Sequence, residues 1–156
     1  VNELNIPILC MGCKSMVIAA SGDGILVSDK EQSAQIKPYV DKLAGQAMYA
    51  EKSWGSFTVL DVQDDSMTIK VELLPGHSLH YHSHEHRDEV WTVMSGMGSV
   101  IIDGMQRMVR PGDVVTMPAG CKHTLIAETK VSVIEVQLGK DINVDDKKKF
   151  DLDIKE

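Results

Sequence analysis

Five of the six histidines fall between positions 77 and 86, and the sixth is His123. His80, His82, His84 and His86 occupy every second position, so on a single strand all four project from one face. A row of imidazoles in an interior is expensive unless the rings are hydrogen-bonded or metal-bound. Glu89 lies just beyond a polar break at 85–88 that can act as a hairpin turn. Such a turn resets the inward parity, so this odd-numbered carboxylate can face the same pocket as His82 and His84. His123 follows a separate turn, Pro118-Ala119-Gly120, and opens a later strand. Two imidazoles at i and i+2, a carboxylate from a paired strand and a distant third imidazole make an open nitrogen and oxygen site. The candidate ligands are therefore His82, His84, Glu89 and His123. They suit one divalent ion among Zn, Mn, Fe, Ni and Co, and four protein ligands leave room for water or substrate. The competing reading is a set of hydrogen-bonded polar groups in a barrel mouth. His80 shares the ligand face and is a candidate base, with exposure at the rim as its alternative. His77 and His86 read as bystanders.

The elements that must hold these residues are short strands. From 54 to 139 the chain carries β-branched runs at 56–62, 68–74, 78–84, 89–94, 99–102, 106–109, 114–117, 123–127 and 131–138. Pro75-Gly76, Gly96-Met97-Gly98, Asp103-Gly104, Pro111-Gly112 and Pro118-Ala119-Gly120 punctuate them. Asp103-Gly104 between alternating strands is the strongest hairpin signal. Many short strands with regular turns and no helical period predict a mainly β fold, a jelly-roll barrel. On the last strand Glu135 alternates inward with Val133 and Gln137. It is either a general base or an inward acid paired with a cationic neighbour.

Residues 1–44 predict a small α/β segment: strands at 15–20 and 25–27 around Ser21-Gly22-Asp23-Gly24, then a helix. Asp29 is the expected N-cap, with Ile36, Val40 and Leu43 at helical spacing, and Pro38 predicts a kink or two short pieces. Residues 45–53 read as a connector. The tail, 140–156, alternates acids and lysines, and Lys147-Lys148-Lys149 between Asp146 and Asp151 predicts a solvated face.

Composition narrows the function classes. The chain has 156 residues, one domain's worth, with a net charge of -7 that argues against nucleic-acid binding. No apolar run approaches the ~18 residues that span a bilayer. The first thirteen residues lack the pattern of a signal peptide, and the absent initiating Met suggests a chain cut from something longer. Three cysteines cannot form a fully paired framework, which predicts a reducing, cytoplasmic setting. Cys10-Met11-Gly12-Cys13 is a lone CxxC with no second pair, and Trp54 and Trp91 read as packing residues.

The spacing has a known likeness. Gly76, five residues, His82-x-His84, four residues, Glu89, six residues, Gly96 resembles the first signature of the cupin superfamily. Gly112, five residues, Pro118-x-Gly120, two residues, His123 resembles the second, with Ala127 where an asparagine is usual. More narrowly, Lys52-Ser53-Trp54-Gly55-Ser56-Phe57-Thr58-Val59-Leu60, the run Pro75 to Leu79 and His84-Glu85-His86-Arg87-Asp88-Glu89-Val90-Trp91 resemble the C-terminal cupin domain of bifunctional mannose-1-phosphate guanylyltransferase/mannose-6-phosphate isomerases of type II. Ser95-Gly96, Ile134-Glu135-Val136-Gln137-Leu138-Gly139 and Asp145-Asp146 continue it, and residues 16–30 resemble the end of that family's nucleotidyltransferase domain. His82 stands where the family has a glutamine ligand, Lys52 replaces an arginine, and the closing Tyr-Gly-Arg is missing.

The resemblance implies a double-stranded β-helix and a metal-dependent isomerase acting on mannose 6-phosphate and fructose 6-phosphate through an enediol. Glu135 and His80 are then the candidate bases. Arg87 matches the arginine of the family's metal-site motif; it is either a phosphate clamp or a solvated turn residue. No glycine-rich nucleotide-binding start is present, so guanylyl transfer by these residues is not expected. Two other readings stand beside the isomerase: a metal-binding module for assembly or ligand sensing in a larger guanylyltransferase, and a cupin dioxygenase using Fe(II). A small-molecule sugar phosphate and a second copy of the chain, as a homodimer, are the expected partners.

Overall fold

The computed structural model describes residues 1–43, 47–140, 142, 143 and 146–152, and the chain divides into two compact units, Val1–Tyr49 and Ala50–Glu156. The expected tail elements at Asp145 and 153–156, and positions 45 and 46 of the expected connector, lie outside the described residues. Among the described residues no helix is long and apolar enough to cross a membrane.

In the first unit, β1 (Met16–Ser21) and β2 (Gly24–Asp29) form an antiparallel hairpin. A 3-10 turn, Gln32–Gln35, and a helix, α1 (Lys37–Leu43), follow. The helix is thus split into two short pieces, and Pro38 sits in the first turn of α1, where its missing N–H would be unpaired anyway. Asp29 does not cap a helix. Its Oδ1 accepts the Glu31 N–H at 2.7 Å in a local turn, and the 3-10 piece begins after Glu31 with no side-chain cap.

The second unit is mainly β, two facing antiparallel sheets in jelly-roll order. Its strands are β3 (Tyr49–Lys52), β4 (Gly55–Val62), β5 (Ser66–Leu73), β6 (His82–Ser83), β7 (Arg87–Ser95), β8 (Gly98–Ile102), β9 (Met105–Val109), β10 (Val114–Met117), β11 (His123–Ala127), β12 (Val131–Gly139) and β13 (Lys148–Lys149). One sheet runs β10-β7-β12-β5-β4-β3, the other β13-β6-β11-β8-β9. Asp103 (φ 48) and Gly104 (φ 85) join β8 to β9 with both central residues at positive φ, as the Asp-Gly pair predicted.

Alternation along the strands decides what faces inward. On β5, Met67, Ile69, Val71 and Leu73 are buried while their neighbours are not. On β7 the inward row is Arg87, Glu89, Trp91 and Val93, and on β12 it is Val131, Val133, Glu135 and Gln137. The two strands pair with Val133 opposite Val93, Glu135 opposite Trp91 and Gln137 opposite Glu89. Each row therefore passes from apolar to polar in the same direction. One end of the interior is a packed apolar core with Leu73, Ile101 and Leu125 fully buried, and the other end gathers polar groups.

Three expectations need correction. The stretch 78–84 is not one strand: it bridges to Ile126 at Ser78 and becomes strand only at His82–Ser83. Alternation therefore does not run unbroken from His80 to His86, both of which are exposed, while residues 81–84 are all buried. The break at 85–88 is not a hairpin turn either, because β6 and β7 belong to different sheets and the chain crosses between them there. The expected connector contains β3, which closes one edge of the six-stranded sheet. The tail is also tied down. Lys148 and Lys149 pair with β6, the Phe150 N–H donates to the Tyr81 carbonyl at 2.9 Å, and the Phe150 ring meets Tyr81 edge-on. Charge composition predicted a solvated face, and Lys147, Lys148 and Lys149 are exposed; the open strand edge on β6 and the aromatic anchor that hold the segment down carry no such local signal.

Candidate metal centre

Three strands bring His82, His84, Glu89 and His123 together. His82 opens β6 and His84 follows its end, Glu89 comes from the inward row of β7, and His123 opens β11 directly opposite His82. One ligand atom from each lies within 4.8 Å of the others, and all four residues are buried.

Each imidazole is turned by a backbone carbonyl. Nδ1 of His82 lies 2.6 Å from the His80 carbonyl, Nδ1 of His123 lies 3.0 Å from the Cys121 carbonyl, and Nδ1 of His84 is hydrogen-bonded to the Asp146 carbonyl. A carbonyl only accepts, so Nδ1 carries the proton in each ring, and a neutral ring then presents the Nε2 lone pair. Carbonyl partners of this kind set the tautomer and orientation of metal-binding histidines.

The Nε2 atoms converge on Glu89. His84 Nε2 is 3.0 Å from Oε1, and His123 Nε2 is 3.1 Å from Oε2. The second approach lies off hydrogen-bond geometry, and both His123 Nε2 and Glu89 Oε2 are buried without a hydrogen-bond partner among the described residues. Buried polar atoms are almost always satisfied, and two aimed at one region are satisfied together by a cation. The residues present thus fit a metal ion, and the cluster can hold one.

Electrostatics prepares the donors. Burial, reinforced by Lys147 and the neighbouring imidazoles, pushes His82 down to about 2, so it is neutral at any working pH. Burial alone would raise Glu89, but the contacts from His123 and His84 outweigh it and hold the carboxyl well below its ordinary value. Glu135 is the opposite case: burial and the nearby Glu89 charge push it up to about 8. Two carboxyls in one interior are separated in this way into an ionised ligand and a group that keeps its proton near neutrality.

The remaining predicted site residues fall in different places. Glu135 is inward, hydrogen-bonded by the Gln137 amide. His80 is exposed, and only its carbonyl reaches the site, through His82. It fails as an inward base because the strand it was assigned to does not form around it. Arg87 is not a solvated turn residue: it is buried, with Nε on Glu89 Oε1 at 3.3 Å, Nη1 donating to the Asn143 carbonyl at 2.9 Å and Nη2 3.2 Å from His84 Nε2. Trp91 packs edge-on against the His123 ring, centroids 5.3 Å apart.

Three contributors were given no role by the sequence reading. Gln137 could have been found from its inward parity on β12. Asp146 accepts from the Glu85 and His86 amides at 2.9 and 3.1 Å, and Asn143 supplies the carbonyl for Arg87. Their distance along the chain left no local signal.

Comparison with known proteins agrees with this geometry. The family model described as mannose-6-phosphate isomerase C-terminal matches residues 41–152. Mannose-1-phosphate guanylyltransferase of Escherichia coli K12 is 26% identical over 149 residues, covering 90% of this chain but 31% of that protein. The chain thus spans about a third of the length of that curated relative. Among solved structures, KdgF from Halomonas sp. superposes with a TM-score of 0.57 at 22% identity, covering 61% of this chain and 90% of that one. An RmlC-like cupin from Shewanella frigidimarina gives 0.55 at 20% identity over 62% of this chain and 86% of that one. These two likenesses establish the cupin fold and nothing more. The family match, which spans most of the second unit, shows that the chain belongs to the mannose-6-phosphate isomerase C-terminal family.

Proposed function

We propose that this chain is a metal-dependent sugar-phosphate isomerase domain interconverting mannose 6-phosphate and fructose 6-phosphate. The observation that carries it is a buried, proton-holding Glu135 beside four converging metal donors, in a chain of this family. His82, His84, Glu89 and His123 would hold a divalent ion (Zn, Mn, Fe, Ni or Co), which when bound supplies Lewis-acid polarisation of the substrate oxygens.

The chain's own groups do the rest. In its ionised form Glu135 takes the C2 proton of the aldose, and the C2–H electrons become the C1–C2 double bond of the enediol as the C1 oxygen gains a proton. Returning the Glu135 proton to C1 while the C2 oxygen loses its own re-forms a carbonyl at C2 and leaves the ketose. A carboxyl titrating near 8 is a stronger base than a solvated one and still exchanges protons near neutrality. Gln137 fixes that carboxyl, and Arg87 fixes Glu89. The partner in this reading is a small phosphorylated sugar, with no role for nucleic acid or a membrane.

A second reading is a metal-binding module without turnover. What favours it is that the Arg87 guanidinium is already engaged by Glu89 and the Asn143 carbonyl. Metal content of the purified protein, followed by fructose 6-phosphate isomerisation with and without chelator, separates the two. Chelator-sensitive turnover that disappears in Glu135→Gln supports the isomerase. Bound metal with no turnover overturns it in favour of the module.

A further inference from the structure

In the antiparallel pair of β13 and β6, Lys148 lies opposite Ser83 and Lys149 opposite His82. Directly opposed residues on such strands present their side chains to the same face. Lys149 therefore shares the face of His82, and Lys147 stands one residue before the strand, next to Asp146, whose carbonyl holds His84. The other parity is accounted for on the far side. Phe150 meets the Tyr81 ring there, with the ammonium groups of Lys122 and Lys148 at 4.3 and 5.7 Å from its centroid.

Lys147 lies within electrostatic reach of Glu135, Glu89, Arg87 and Lys149, and it contributes to the neutrality of His82. Desolvation by the surrounding walls pushes its ammonium below the ordinary value, although the residue still reaches water, so its field is that of a partly screened charge. No hydrogen bond or close ion pair among the described residues holds that ammonium. Arg87 differs: it is buried and its guanidinium is engaged on three sides. The accessible cationic group within electrostatic reach of the donors is Lys147.

We propose that Lys147, with Lys149 beside it, is the substrate-binding residue that receives the phosphate of the sugar at the mouth of the metal centre. This rests on the isomerase reading for the identity of the sugar, but not for the phosphate chemistry. An ammonium on a flexible stem is a point charge suited to a phosphate dianion whose ester must move little during proton transfer. Its strand is fastened to the metal centre itself, because Asp146 holds both His84 and the amides of Glu85 and His86. The phosphate subsite and the metal donors are thereby kept in one rigid relation.

The test titrates inorganic phosphate by calorimetry into the full metal-loaded chain and its Lys147→Ala and Lys147→Arg variants, alongside metal content and steady-state kinetics with fructose 6-phosphate. Losing a charge-assisted contact predicts phosphate binding and KM worse by about tenfold or more in Lys147→Ala. In that variant kcat stays within about threefold, as expected for uniform binding, and metal content is unchanged. Lys147→Arg restores most of the phosphate affinity. Phosphate affinity unchanged in Lys147→Ala, or loss of its metal, overturns the proposal. A wild-type chain that binds phosphate through Lys147 without isomerising sinks the isomerase reading and leaves the phosphate subsite standing.

Discussion

His84 is hydrogen-bonded through Nδ1 to the backbone carbonyl of Asp146, 62 residues further along the chain. One of the four candidate metal ligands is therefore oriented by the C-terminal segment, and the Asp146 carboxylate ties the same segment to the amides of Glu85 and His86. Through this contact, docking of that segment would be coupled to any metal held at the cluster.

Asp146→Ala should weaken metal binding without touching a ligand. Outer-shell partners of metal-binding histidines are typically worth about 10–100-fold in affinity. Because the carbonyl remains and only its anchoring is lost, the lower end, about tenfold, is expected. Competition against a chromophoric chelator measures it, and an unchanged affinity would show that the segment is a passenger.

Metal removal should lower thermal stability. A ligand present at 100 times its Kd stabilises the folded state by about 2.7 kcal/mol. Chelator should therefore depress the melting temperature of the wild type, while His123→Ala, which loses a ligand, should melt at one temperature with or without chelator. Equal chelator responses in the two proteins would count against His123 as a ligand.

Glu135 gives the metal-free protein a particular pH dependence. Its folded-state value near 8 exceeds the ordinary value of 4.5, so between these limits the folded chain holds a proton that the unfolded chain has lost. Its contribution to stability is fully present below about 4.5 and is lost as pH rises through about 8. The slope attributable to this group is at most about 1.4 kcal/mol per pH unit. Urea midpoints of Glu135→Gln should be flatter than wild type across this range, and parallel profiles would refute the assignment.

Leu125 lies fully buried on β11, two residues from His123. Leu125→Ala should cost about 2–5 kcal/mol in urea unfolding, through lost burial and the cavity left behind. Because the polar end of the interior is built on this packing, metal affinity should fall in the same variant. A destabilised protein with wild-type metal affinity would show that the two ends are independent.

Much of the fold was legible because its signals are local. The boundaries of β10 and β11 follow from β-branched runs set off by turn residues, and Asp103-Gly104 specifies its turn through two positive φ angles that few other residue pairs accept. The gathering of His82, His84, Glu89 and His123 was legible too, since each ligand's spacing is set by its own strand and turn. Where the reading failed, a local rule met a non-local partner. Alternation predicted four histidines on one face, but β6 is strand only over His82, paired on both sides, and Ser83, paired on one, so His80 fell outside.

By itself, the sequence determined a mainly β unit and the identity of four candidate metal donors, because strand period, turn chemistry and donor type are properties of neighbouring residues. Tertiary structure alone decided which carboxyl keeps its proton, where the Arg87 guanidinium points, and that a charged tail closes on the site. The physical reason is that burial, opposing charge and hydrogen-bond partners are supplied by residues far apart in the chain. Glu135 is raised by burial and by Glu89 on the neighbouring strand, and His84 is held by a carbonyl 62 positions away.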